Sequence, residues 1–266
     1  MKICILQTDI IWASPQANIA RAEALMEQCE TADLYVLPEM WATGFATEPE
    51  GTAEDERKSL ALEWMRTVAR RQNCALSGSL AVRTSDGSFR NRHYFVTPDA
   101  YAFYDKHHLF TYGHEDRYFT AGKEAVVVEW KKWRLLLQTC YDLRFPCFAR
   151  YGRWYGGDMQ AAEEQQLRYD AIIYVANWPE KRQMAWDTLI RARAIENQCY
   201  VVAVNRTGQD PVCSYSGGSA IVDPKGHTVA ECRKGEHLAT AMLSIEKLRE
   251  MRSRFRVLDD RDRFSL

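Results

Sequence analysis

The sequence lacks the features that mark several large protein classes. Nowhere do 18 apolar residues run together, so no segment reads as a membrane-spanning helix. Opposite charges almost cancel to a formal −1, with neither the basic excess expected of a nucleic-acid binder nor an acidic tail for a basic partner. Eight cysteines (4, 29, 74, 140, 147, 199, 213 and 232) include no CxxC and no Cys/His zinc spacing, which disfavours a metal site or a disulfide framework. Most of them read as small buried hydrophobes in a reducing compartment. No GxSxG motif points to a serine hydrolase, and no Ser/Gly linker or short repeat divides the chain.

What remains is a globular composition. Hydrophobic residues make up 46% and charged residues 27%, so disorder is not the default, and 266 residues suffice for one large core. One domain over 1–266 is expected. The opening Met-Lys-Ile-Cys-Ile-Leu-Gln-Thr-Asp breaks its apolar run too early for a secretion signal; it reads as a first strand, and a cytoplasmic protein is expected.

Strand-like runs occur at 2–9, 33–38, 74–82, 91–97, 100–105, 125–130, 133–140, 170–177, 199–205, 217–223, 227–232 and 237–243. Several are apolar on both faces, as in strands covered on two sides. Between them, Ser14-Pro15 opens a helical pattern, and two more span 53–72 and 181–198. Turn signals at 85–87, 97–99 and 223–226 mark hairpins. Helices over a mixed sheet define an α/β layered fold. The polar stretch 152–168 reads as a surface excursion.

Three strand-like runs end on residues that can carry chemistry. Leu37-Pro38-Glu39 delivers a carboxylate, Tyr104-Asp105-Lys106 an ammonium, and Thr139-Cys140-Tyr141-Asp142-Leu143-Arg144-Phe145-Pro146 a thiol. Taken singly, Glu39 is as readily a surface residue or helix cap, Lys106 a solvated strand end and Cys140 an inert buried thiol. Taken together they gain weight, because open α/β sheets collect their sites at strand C-terminal ends. A carboxylate can take the thiol proton, and an ammonium can hold a tetrahedral oxyanion.

These motifs resemble the Glu-Lys-Cys triad of the carbon–nitrogen hydrolase (nitrilase) superfamily, over nearly the whole chain. His108-Leu109-Phe110, Tyr174 to Pro179 and Arg193 to Gln198 resemble its omega-amidase branch. The resemblance implies a four-layer α-β-β-α sandwich hydrolysing the terminal amide of 2-oxo dicarboxylic acid monoamides. It assigns Cys140 as nucleophile, Glu39 as general base, Lys106 as oxyanion partner, the Tyr141 N–H to the oxyanion hole and Glu115 as a supporting second glutamate. Glu115 has an alternative as a loop carboxylate paired with Arg117. No cofactor is implied. A homodimer is, with 245–266 as a candidate arm whose Met251, Phe255, Val257, Leu258 and Phe264 anchor to the partner or to their own subunit.

On the substrate side, Arg144 is either a carboxylate clamp or a structural partner of Asp142. Asn177 and Trp178 are expected to line the pocket. Phe45 and Tyr112 either close over the substrate or serve core and lid. His107 and His108 invite a metal reading, but adjacent strand-end residues should point apart and no partner stands at ligand spacing. Gln138 and Thr139 depart from the apolar residues expected before the cysteine, which requires a side-chain hydrogen bond. The rivals are an aliphatic amidase or N-carbamoyl amino acid hydrolase of the same superfamily, and a silent scaffold.

Overall fold

The structure, a computed structural model, describes residues 1–151, 169–232, 235 and 237–260. The first half contains β1 (Lys2–Leu6), α1 (Pro15–Glu27), β2 (Leu34–Val36), β3 (Glu54–Asp55), α2 (Leu60–Gln72), β4 (Ala75–Arg83), β5 (Phe89–Val96) and β6 (Tyr101–Asp105). There follow β7 (Val126–Trp130), β8 (Trp133–Thr139), α3 (Pro146–Tyr151), β9 (Ala171–Ala176), α4 (Gln183–Glu196) and β10 (Tyr200–Asn205). The last elements are β11 (Thr207–Gln209), β12 (Ser214–Ser216), β13 (Ala220–Val222), β14 (Thr228–Glu231), β15 (Leu238–Met242) and α5 (Ile245–Arg254).

Two sheets form the centre. One runs β15-β1-β2-β4-β5-β6, with β3 beside β4, and the other β14-β13-β10-β9-β8-β7. Period-two alternation decides what each face does. On β1, Ile3 and Ile5 enter the core shared with Leu135, Leu137 and Ile173 of the other sheet. Cys4 and Leu6 point the opposite way, to Ala22 and Leu25 of α1 and the Met65–Val68 face of α2. Beyond the second sheet lie Trp186, Ile190 and Ala194 of α4. The order is therefore α-β-β-α. Within it β1, β2 and β4 are parallel, as are β8, β9 and β10, so their C-terminal ends gather at one edge of each sheet.

The helix expected over 53–72 begins only at Leu60. Ser59 caps it by accepting from Leu62 N, and the Glu54 carboxylate accepts from Ser59 Oγ, Leu60 N and Ala61 N. Residues 54–55 instead pair with Val82 and Arg83. The strand expected over 217–223 is shortened to 220–222, because Gly217 and Gly218 adopt φ of 78° and 79°, outside the extended region. Ahead of it stands an unanticipated hairpin, β11–β12. Helix α5 was also not legible as a helix. It packs on its own subunit, with Leu248 and Leu258 buried and Arg252 donating to the carbonyls of Gln198 and Tyr169. Phe255 stays 65% exposed. Phe264 and the 152–168 stretch lie outside the described residues.

Candidate active site

Glu39 follows β2 after Pro38, and its backbone carbonyl accepts from Asn177 Nδ2 at 2.6 Å. Its side chain is fully enclosed, and Oε1 accepts from Lys106 Nζ at 2.9 Å and Asn91 Nδ2 at 2.8 Å, while Oε2 accepts from the Asn177 N–H at 2.8 Å. Lys106, one residue past β6, also donates to Glu115 Oε2 at 2.8 Å. Glu115 is held in turn by Phe110 N and by Asn91, 2.7 and 3.0 Å away. One ammonium thus bridges two buried carboxylates, and Asn91 spans the same pair with its amide. The alternative pairing of Glu115 with Arg117 is not formed. Removing one partner of such a buried ion pair costs about 3–5 kcal/mol, since it strands an uncompensated charge.

Cys140 opens a short 3₁₀ turn between β8 and α3, with φ of 45°, a conformation that non-glycine residues rarely adopt. Met40, next to Glu39, has φ of 43°. Both turns are held by side chains to which the sequence reading gave no such role. Asp142, two residues after the thiol, accepts from Thr139 N, Tyr104 Oη and both the backbone and Nδ1 of His108. The cysteine turn is thereby tied to the segment that carries Lys106. Ser79 accepts from Met40 N and donates to Asn91 Oδ1.

The Cys140 thiol donates to the Asn177 carbonyl at 3.9 Å, with the Glu39 carboxylate beside it. Burial pushes its pKa well above the ordinary thiol value, the Glu39 carboxylate pushes it further, and Lys106 opposes both. The resting group is therefore a neutral thiol beside a base. Burial works against the charge on Lys106, but Glu115 and Glu39 outweigh it and raise the lysine pKa. Burial likewise raises Glu115, against the pull of Lys106.

Around this centre, Phe45 lies over Lys106, its ring centroid 5.4 Å from Nζ. The Tyr141 ring meets Phe110 at 5.1 Å. Trp178 is buried, with Nε1 donating to the Arg182 carbonyl, and the Arg144 guanidinium sits 5.0 Å from its ring centroid. Arg144 does not pair with Asp142, whose oxygens are taken by the four donors above. Tyr112 stands 81% exposed, meeting Phe110 at 5.9 Å, and does not close over the centre. His107 and His108 do not diverge as strand alternation would require. They lie past the end of β6, their rings 4.6 Å apart, stacked on Phe148 and Phe145 respectively. Among the described residues no His/Cys/Asp/Glu cluster could hold a metal. The side-chain hydrogen bond expected of one of Gln138 and Thr139 is not made by Gln138, whose Nε2 and Oε1 are buried without a partner among the described residues.

A neutral thiol, a buried base and an enclosed ammonium at the strand ends of an α-β-β-α sandwich make an arrangement suited to acyl transfer, and the fold and site together define a hydrolase. The carbon–nitrogen hydrolase family model matches residues 2–253, and the chain belongs to that family. It is 40% identical to omega-amidase YafV of Yersinia enterocolitica, over 100% of this chain and 98% of that one. Identity to the 2-oxoglutaramate amidase of Bacillus subtilis (strain 168) is 33%, covering 97% and 96%. Among solved structures, a CN-hydrolase superfamily protein of Xanthomonas campestris with an arsenic adduct in its active site matches with TM-score 0.92 and 41% identity, over 100% of this chain and 98% of that chain.

Proposed function

We propose that this protein is an omega-amidase. It hydrolyses the terminal amide of a 2-oxo dicarboxylic acid monoamide, such as 2-oxoglutaramate, to ammonia and the 2-oxo dicarboxylate through a Cys140 thioester. The observation that carries the reading is the Lys106 ammonium bridging the buried Glu39 and Glu115 carboxylates, with the Cys140 thiol beside Glu39. The full-length likeness to an omega-amidase and a 2-oxoglutaramate amidase supports the substrate class.

Glu39 accepts the thiol proton as sulfur attacks the amide carbon. The oxyanion is held by Lys106 and by the N–H of Tyr141. That N–H stands in the first turn of a helical segment, where backbone donors lack intrahelical partners. Collapse breaks the C–N bond, and ammonia leaves with the proton from Glu39. The same carboxylate then deprotonates water, which attacks the thioester, and the proton returns to sulfur as the acid departs. A positioned base contributes about 10²–10⁴ in rate, and one oxyanion donor about 3–4 kcal/mol, so no metal is required. Phe45, Asn177 and Trp178 form walls, with Arg144 turned to the substrate carboxylate.

The reading takes 1–266 as one catalytic unit acting as a homodimer. Because α5 packs at home, the arm would begin at the exposed Phe255. The test is ammonia release from 2-oxoglutaramate, glutamine and pentanamide by wild type and Cys140→Ala. Preference for the oxo-acid amide, lost in the variant, is expected. Turnover by Cys140→Ala would overturn the thioester route, and release of carbon dioxide with ammonia from N-carbamoyl amino acids alone would shift the substrate class.

A further inference from the structure

Arg182 has no place in the chemistry so far, yet it stands beside it. It ends the 3₁₀ turn Glu180–Arg182 just ahead of α4. Its guanidinium lies 5.3 Å from the Phe110 ring centroid, and its carbonyl anchors Trp178 Nε1 at 2.9 Å. Phe110 is the residue whose N–H holds Glu115 and whose ring meets Tyr141; Trp178 carries Arg144 on its face. Two guanidiniums are therefore each laid on an aromatic ring, Arg144 on Trp178 and Arg182 on Phe110, and Phe110 in turn touches Glu115 and Tyr141.

Neither has an acidic partner within ion-pair distance among the described residues. The acids nearby are otherwise engaged: Glu39 and Glu115 hold Lys106, Asp142 holds the cysteine turn, and Asp187 accepts from Gln183. Glu180 adjoins Arg182 in sequence but forms no ion pair with it. The first turn of α4 has no acidic residue and no side-chain cap, so the positive end of the helix adds to the field. An aromatic face orients a guanidinium without neutralising it, and two such groups beside a third cation call for an anion.

We infer that Arg182 is a specificity-determining residue which, with Arg144, receives the carboxylate at the far end of the substrate from the scissile amide. The inference rests on the omega-amidase reading. Planar guanidiniums match a carboxylate bidentately, and a 2-oxo acid presents its carbonyl oxygen in the same plane as a further acceptor. Uncharged amides gain nothing from this receptor.

The test compares wild type, Arg182→Ala and Arg182→Lys. Arg182→Ala should lose on the order of 10²-fold in kcat/KM for 2-oxoglutaramate, Arg182→Lys less, and neither should change turnover of pentanamide. A second readout does not need turnover: the rate of iodoacetamide labelling at Cys140, located by mass spectrometry, and its expected slowing by glutarate. Arg182→Ala should label at the wild-type rate yet require at least ~10-fold more glutarate for protection. Equal losses on both amides, slowed labelling, or unchanged protection by glutarate would each overturn the inference. If wild type itself ignores 2-oxoglutaramate while hydrolysing pentanamide, the omega-amidase reading has failed and the receptor with it.

Discussion

At the scale of single residues, Glu39 acts on Cys140 in two opposed ways. In the proposed cycle it is the base that receives the thiol proton, and its negative charge raises the pKa of that same thiol. Glu39→Gln keeps the shape but removes the charge, leaving Lys106 to favour the thiolate. The variant should lose at least ~10²-fold in turnover, while the pH midpoint of Cys140 alkylation moves down. Mass spectrometry of iodoacetamide labelling across pH checks this; an upward or absent shift would contradict the geometry. Asn91 offers a second contrast, since it touches both carboxylates but has no proton to give or take in the cycle. Asn91→Ala should lower kcat by about tenfold or more through loosened positioning, with little change in KM. Glu39, Lys106 and Cys140 are legible in the sequence because each ends an apolar run. Asn91 is not: it lies among charged residues in Arg90-Asn91-Arg92, and its partner Glu39 is 52 positions away. Asp142 was visible, but only as a partner for Arg144.

At the scale of elements, regular runs were readable and their ends were not. The 53–72 pattern contains a true helix, but Glu54 reaches across six residues to cap it from outside, which periodicity cannot register. The β11–β12 hairpin is built of three-residue strands, too short to show alternation. Connecting segments nonetheless set the geometry around Lys106. Gly122 donates its N–H to the Lys106 carbonyl at 2.9 Å, and a Cβ there would fall 2.0 Å from the Asp105 carbonyl oxygen. Backbone cannot yield as a side-chain tip does, so Gly122→Ala must move the end of β6. The expected outcome is a fall in kcat of about 10–10²-fold, larger than any change in KM, in a protein that still folds. Steady-state kinetics with circular dichroism decides it; wild-type kcat would mean that the strand end absorbs the displacement without moving Lys106.

At the scale of the whole molecule, an α/β layered fold was readable from strand-like runs with helices between them, and the four-layer order from the family resemblance. The split of β1 between two cores, Ile3 and Ile5 to one and Cys4 and Leu6 to the other, was not. Nor was the way polar groups join the two sheets. His93 of β5 is wholly buried between Ser77 Oγ, 2.7 Å from Nε2, and the Gln138 carbonyl of the opposite sheet, 3.2 Å from Nδ1. A carbonyl only accepts, so Nδ1 carries the hydrogen and Nε2 accepts from Ser77. The ring is neutral, and burial pushes its pKa down to about 3, against smaller upward pulls from the Gln138 carbonyl and Asp142. In the unfolded chain it returns to about 6.5. The unfolded state therefore binds the extra proton first, and stability is lost as pH falls from about 6.5 toward 3, by up to about 1.4 kcal/mol per pH unit. Between pH 7 and pH 5 the loss from this one residue is about 2 kcal/mol. His93→Gln can keep both hydrogen bonds without a titrating group, so its unfolding free energy should fall less over that interval by about that amount. Urea unfolding at the two pH values, at one protein concentration, gives the comparison. Parallel pH dependences would mean that the ring takes up a proton in the folded sandwich, and that the junction between the sheets is more open to water than its burial implies.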